Sequence, residues 1–201
     1  MRDIIRMIVV VAVLCACAGG LLAGVKSGTA SKIEFQQLKF VKGPAIREIL
    51  KGCTNDPITD RFKLKDGETE RTFFVGVFDG KPNAVAFETY GKGFGGRIGI
   101  MVGVDLETDK VVGLGITTHS ETPGLGARAK TDETFKGSFK GLSIMEPFKV
   151  KADGGKVDAV TGATVTSRGV CAAVTATSEF YKRLKPQILE KAGAFAKRGE
   201  K

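Results

Sequence analysis

Arg71-Thr-Phe-Phe-Val-Gly-Val-Phe78 runs into Asp79-Gly80, and Ala84-Val-Ala-Phe-Glu-Thr-Tyr90 follows. Both apolar runs are rich in β-branched and aromatic residues, the composition of a pleated, half-buried surface. Asp-Gly between such runs favours a tight hairpin, because both central positions need positive φ. This pair of segments decides the fold class. Gly91-Lys-Gly-Phe-Gly-Gly96 reads as a flexible link to Arg97-Ile-Gly-Ile-Met-Val-Gly-Val104. Asp105 to Asp109 form a turn before Lys110-Val-Val-Gly-Leu-Gly-Ile-Thr117. The result is an antiparallel meander.

Helical signals lie on either side of it. Thr131 to Lys140 predicts a short helix, with Thr131 as N-cap and Phe135 and Phe139 on one face. Short strands are expected near Phe148–Val150. A last helix is predicted from Thr166 to Leu184, burying Ala173, Val174, Thr177, Phe180, Tyr181 and Leu184. Pro186 is expected to end or kink it. Upstream, residues 53–70 are polar and read as loop. Residues 26–52 read as partly helical, with Ile33, Leu38, Val41, Ile46, Ile49 and Leu50 as a packed face and a break at Gly43-Pro44. The class is α+β: a twisted antiparallel sheet packed with helices.

From Met7 to Val25 the chain carries no charge. A helix of that length, at ~1.5 Å per residue, covers roughly the hydrocarbon core of a bilayer. Arg2 and Arg6 precede the run, which places the short N-terminus in the cytoplasm and the body outside. Ala16-Cys17-Ala18 resembles a signal-peptidase site and Leu14-Cys15-Ala16-Cys17 a lipoprotein site, but the run is longer than the ~7–15 apolar residues of a signal peptide. The organisation is therefore an anchor at 1–26, a lead-in helix and loop at 27–70, a domain at 71–190 and a flexible basic tail at 191–201.

Composition narrows the functions. The 201 residues are 42% hydrophobic, with 27 glycines and a formal charge of +9. Basic residues are spread along the chain among acidic neighbours, so no nucleic-acid partner is expected. Cys53 and Cys171 remain outside the apolar segment, and His119 is the one histidine. No metal-ligand spacing results. The two cysteines either pair in an oxidising compartment or stay as buried thiols. No strand–GxGxxG–helix unit is present, so NAD binding is not expected.

The chemistry concentrates in two stretches. Asp158-Ala-Val-Thr-Gly-Ala-Thr-Val-Thr-Ser167 places Thr161, Gly162, Ala163, Thr164 and Thr166 where a helix begins. Gly162 permits a tight turn and Ala163 keeps the approach open. The unpaired N–H groups of a helix start can hold a phosphate. A plain helix cap is the competing reading. His119-Ser-Glu-Thr-Pro-Gly-Leu-Gly-Ala127 supplies a second turn with polar groups and one apolar side chain, Leu125.

Together, Glu-Thr-Pro-Gly-Leu-Gly and Asp-x-x-Thr-Gly-Ala-Thr-x-Thr-Ser resemble the FMN-binding domain of ion-translocating electron-transport complexes. The match is closest to the G subunit of the Rnf complex, and the C subunit of the sodium-translocating NADH:quinone reductase shares the design. The resemblance covers nearly the whole chain, including the N-terminal anchor, the Gly-Phe-Gly-Gly stretch and the closing helix. Position 119 departs from it, since an acidic or polar residue would be expected there as readily as histidine.

The resemblance implies FMN esterified through its phosphate to Thr164. It implies that Thr161 fills the first hydroxyl position of the motif, and that Asp158 is read by a flavin transferase. Thr166 is the neighbouring candidate hydroxyl. Ser120, Glu121, Thr122, Gly124, Leu125 and Gly126 carry over as flavin-contacting residues. The implied function is electron transfer in a complex coupling ferredoxin–NAD electron flow to ion pumping. It implies other membrane subunits as partners and a single-pass protein of the bacterial cytoplasmic membrane with its domain on the outer face. No independent catalysis, catalytic residue or metal is expected. The competing functions are an exported flavin-bearing sensory or binding module, membership of the reductase as its C subunit, and a non-redox binding protein.

Overall fold

The computed structural model describes residues 2–196. The chain forms two units, Met1–Lys39 and Phe40–Lys201. The first is built on helix α1, Arg2–Gln36. Within its segment Arg2–Ala30, an 18-residue window has a mean hydropathy of 2.7, and none of that window is buried among the described residues. It is long and apolar enough to cross a membrane. A long helix apolar on all sides is what lipid solvates. The helix continues past the anchor expected to close at residue 26.

The second unit holds a five-stranded antiparallel sheet in the order β1-β2-β3-β4-β5. The strands are Arg61–Asp66, Thr69–Phe78, Lys81–Lys92, Arg97–Asp105 and Val111–Thr118. Phe78 pairs with Lys81 across the Asp79-Gly80 turn, where both residues have positive φ. The hairpin expected there forms.

The strand β1 falls where the sequence reading placed a loop. Its residues alternate between exposed Arg61, Lys63 and Lys65 and inward Phe62 and Leu64. It pairs with β2 alone, and its charges are those of an edge strand, so its apolar signal is short. Phe62 stacks on Phe73 at 5.5 Å. The expected flexible link at 91–96 is also shorter, because β3 runs to Lys92 and Gly93 N–H donates to Gly96 O at 2.8 Å.

Both faces of the central strands are covered. Ile98, Ile100, Val102 and Val104 alternate into one core cluster with Phe73, Val75, Val85 and Phe87. Each such side chain contributes about 1.5–3 kcal/mol when buried. That cluster lies under α4, Thr164–Ala196. The expected stripe is in place: Ala173, Val174, Thr177, Phe180, Tyr181 and Leu184 are all buried, and Ile188 and Ala192 continue it. On the other face lies α2, Gly43–Ile49, with Pro44 in its first turn. A Cβ on Gly103 would lie 2.2 Å from Ile49 Cγ2, and one on Gly115 would lie 3.0 Å from Ala45 Cβ. The glycines of β4 and β5 are the groove into which α2 fits.

Other expectations shift. The helix α4 begins at Thr164, two residues early, and passes through Pro186 to Ala196. Proline removes one donor there, but tertiary contacts hold the helix before it, and burial of Ile188 and Ala192 holds it after. Tyr181 Oη donates to Asp109 at 3.0 Å, Lys185 pairs with Asp109 at 2.6 Å, and Arg183 pairs with Asp66. Residues 191–196 of the expected tail are thus helical, and 197–201 lie outside the described residues. The short helix α3 spans Glu133–Gly137, capped by Asp132, whose carboxylate accepts from Phe135 N–H, rather than by Thr131. Phe135 and Phe139 do meet, edge to face at 5.3 Å. Near Phe148–Val150 there is a single bridge, Val150 to Val157, rather than paired strands. Cys53 and Cys171 are both free thiols, and burial pushes the Cys171 thiol up to about 12.

Candidate functional site

An extended segment from Val157 to Val160 leads into a turn at Thr161-Gly162 and then into α4. Gly162 takes φ +78, the left-handed region that favours glycine. The turn is fastened from below. Ser167 Oγ accepts from Val160 N–H at 3.0 Å and donates to Ala163 O at 3.0 Å. Ala163 O also accepts the first helical bond, from Ser167 N–H. The N–H groups of Thr164, Val165 and Thr166 therefore open the helix with no intrahelical acceptor. Among the described residues no side chain caps them. That leaves the positive end of a 33-residue helix available to an anion.

The three threonines differ. Thr161 is exposed and Thr164 half-buried, and neither hydroxyl makes a hydrogen bond within the chain among the described residues. Thr166 is buried, 2% exposed, and its hydroxyl donates to Glu121 Oε2. Asp158 is half-exposed and pairs with Lys151 at 2.6 Å, so it is not drawn into contact with the turn. Arg168, on the second turn of α4, grips Asp153 through two bonds of 2.7 and 2.6 Å. That guanidinium holds the Asp153 carboxyl below the usual carboxylate range.

The loop after β5 is brought against this turn. Leu125 is half-exposed, and its Cδ2 lies 3.4 Å from where a Gly162 Cβ would stand. Gly126 is buried, and a Cβ there would meet Glu121 Oε2 at 2.4 Å and Thr166 Oγ1 at 2.9 Å. Thr122 O accepts from Leu125 N–H and Ala127 N–H, both at 3.2 Å, which closes the loop on itself. Gly124 has φ +76, and Ser120 is exposed. His119 follows β5, its Nδ1 buried without a partner among the described residues.

Glu121 behaves differently from its loop neighbours. It is 6% exposed and turned inward. Its Oε1 accepts from Gly95 N–H at 2.7 Å, and its Oε2 from Phe94 N–H at 3.3 Å and from Thr166. One carboxylate thus joins the β3–β4 tip, the loop and the first turn of α4. Sequence reasoning missed Phe94, Gly95 and Ser167 as parts of this site. Gly-Phe-Gly-Gly was a visible signal, because glycines around one acidic side chain leave it room and free N–H groups.

The FMN-binding domain family matches residues 93–179, from the β3–β4 tip to the middle of α4. The G subunit of the ion-translocating oxidoreductase complex of Methanosarcina acetivorans is 32% identical over 182 residues, covering 89% of this chain and 95% of that one. Its counterpart in Vibrio cholerae serotype O1 is 29% identical over 190 residues, covering 89% and 90%. The crystal structure of the C subunit of the Na(+)-translocating NADH-quinone reductase from Parabacteroides distasonis shares the fold. It superposes with a TM-score of 0.56 at 21% identity, covering 76% of this chain and 95% of that chain. Similarity over most of both chains settles the kinship: this chain belongs to the G-subunit family of ion-translocating oxidoreductase complexes.

Proposed function

We propose that the protein is the electron-carrying subunit of an Rnf-type complex, using FMN joined through its phosphate to Thr164. The observation that carries this reading is the contrast between Thr164 and Thr166. The Thr164 hydroxyl stands at the helix start with no partner among the described residues, whereas Thr166 is buried and bonded to Glu121.

The residues present fit the phosphodiester that joins FMN to a threonine. The N–H groups of Thr164, Val165 and Thr166 offer donors at the positive end of α4. Gly162 leaves the approach free of a side chain, and Thr161 adds a hydroxyl beside it. Leu125 gives the site an apolar wall. FMN, when bound, supplies the redox chemistry, and the protein's part is to hold and orient it and to tune it through its surroundings. A covalent tether also keeps the local concentration independent of free cofactor.

The remaining parts follow from the same reading. Asp158, half-exposed before the turn, is available for a flavin transferase to recognise. The apolar α1 makes the protein single-pass in the cytoplasmic membrane, and Arg2 and Arg6 at its start favour a domain on the outer face. Its partners are the other membrane subunits of a complex that passes electrons between ferredoxin and NAD.

The test is intact mass of the full chain co-expressed with a flavin transferase. The expected result is one FMN phosphoester per chain, lost in Thr164→Ala and retained in Thr166→Val. An unmodified wild-type chain, or an adduct that survives Thr164→Ala, overturns the assignment.

A further inference from the structure

We infer that Phe94 is a contact residue for the isoalloxazine ring of the FMN carried at Thr164, and that Glu121 is the positioning residue that sets it there. This rests on the attachment proposed above. Phe94 is 78% exposed at the tip between β3 and β4. It is flanked by Gly93, Gly95 and Gly96, and little among the described residues covers its ring.

An exposed phenyl on a mobile tip would carry no meaning, but this tip is held at two places. Phe94 N–H and the Thr166 hydroxyl share one oxygen, Glu121 Oε2, while Gly95 N–H takes the other. Independently, the backbone before Phe94 lies against the second turn of α4. A Cβ on Gly169 would stand 2.2 Å from Lys92 O and 3.4 Å from Gly93 N. Phe94 is therefore fixed beside the helix turn that bears Thr164.

Two other apolar side chains are exposed around the same turn, Leu125 at 50% and Val165 at 52%. With Phe94 on the tip tied to that turn, they offer apolar surface to whatever the Thr164 hydroxyl carries. A planar aromatic ring on a short phosphoribityl tether is the occupant with matching chemistry. The β3–β4 tip thus becomes a wall of the flavin site.

The absence of tryptophan from the chain makes the test clean. The full chain is flavinylated by a co-expressed transferase, and the adduct is verified by mass. Flavin fluorescence lifetime and iodide quenching are then measured for wild type, Phe94→Ala, Phe94→Trp and Leu189→Trp. Leu189 is exposed on α4 well beyond the first turn. An indole in contact with the excited flavin donates an electron to it and shortens its lifetime. The expected result is a flavin lifetime clearly shortened in Phe94→Trp and unchanged in Leu189→Trp. Phe94→Ala should make the flavin severalfold more accessible to iodide with the adduct intact. If an intact adduct shows wild-type lifetime in Phe94→Trp and wild-type quenching in Phe94→Ala, Phe94 faces something else, such as another protein of the complex, and the inference falls alone. If wild type carries no adduct, the attachment reading falls and takes the inference with it.

Discussion

Glu121→Ala tests the buried clamp directly. The carboxylate accepts two backbone N–H groups and one hydroxyl, and the residue is 6% exposed. Hydrogen bonds to a charged group contribute about 1.5–3 kcal/mol each, and a buried donor left unpaired costs about 1–3 kcal/mol. These terms overlap, and water reaches the exposed tip at Phe94 and Gly95 once the side chain is gone. Glu121→Ala is accordingly expected to destabilise the domain by about 3–5 kcal/mol, with the buried Thr166 hydroxyl as the main orphan. At ~2–4 °C per kcal/mol for a domain of this size, the melting temperature should fall by roughly 6–20 °C. Thr166→Val removes one donor with little change in shape and should cost about 1–2 kcal/mol. The decisive quantity is the coupling. Removing both partners leaves no orphan hydroxyl, so the double variant should be about 1–2 kcal/mol less damaged than the sum of the singles. Thermal unfolding of the full chain in detergent, followed by near-ultraviolet circular dichroism, gives all four values. Additivity within about 0.5 kcal/mol would show that Glu121 and Thr166 do not act as one unit, and the clamp would be refuted.

Two further outcomes are expected from the packing and the ion pairs. In Gly169→Ala the new methyl meets Lys92 backbone atoms at 2.2 and 2.9 Å. Overpacking of about 1–3 kcal/mol should outweigh a helix gain of about 1 kcal/mol, so this variant loses stability. Gly193→Ala, on the same helix with nothing within 4 Å, should gain it; urea midpoints compare the two. Asp66 is held below the usual carboxylate range by hydrogen bonds from Arg183 and Arg71. Its contribution is full above the unfolded value of about 4 and is lost as pH falls through the lower folded value. Melting temperature against pH should therefore drop less steeply in Asp66→Asn than in wild type below about pH 4.

The central strands and the stripe of α4 were legible because each buries a regular pattern. β4 is apolar on both faces, and α4 repeats its contacts every three or four residues. The features that were not legible depend on long-range partners. β1 has only Phe62 and Leu64 to announce it, and its strand character comes from pairing with β2. Pro186 signals an end that other elements overrule: Asp109 and Asp66 hold Tyr181, Lys185 and Arg183 before it, and Ile188 and Ala192 are buried after it. Local propensity is a weak prior, and tertiary contacts on both sides of a break exceed it.

The same distinction explains the site. Thr161-Gly-Ala-Thr164 is readable because a helix start needs only local geometry, and the positive φ of Gly162 agrees. The inward clamp of Glu121, expected only as a flavin contact, is not, because an acidic residue between Ser120 and Thr122 looks solvent-facing in a linear reading. Its inward turn is set by what surrounds it. A Cβ on Gly93 would meet its Oε1 at 2.4 Å, and one on Gly126 its Oε2 at 2.4 Å. Neither glycine has positive φ, so neither is there for a turn. They are there because the space of a methyl group is filled by a carboxylate. A buried charge needs several donors at once, and glycine lets backbone N–H groups come that close. The glycines that look like flexibility in Gly-Phe-Gly-Gly and Gly-Leu-Gly therefore rigidify the site. They let one side chain bind three segments into the surface around Thr164.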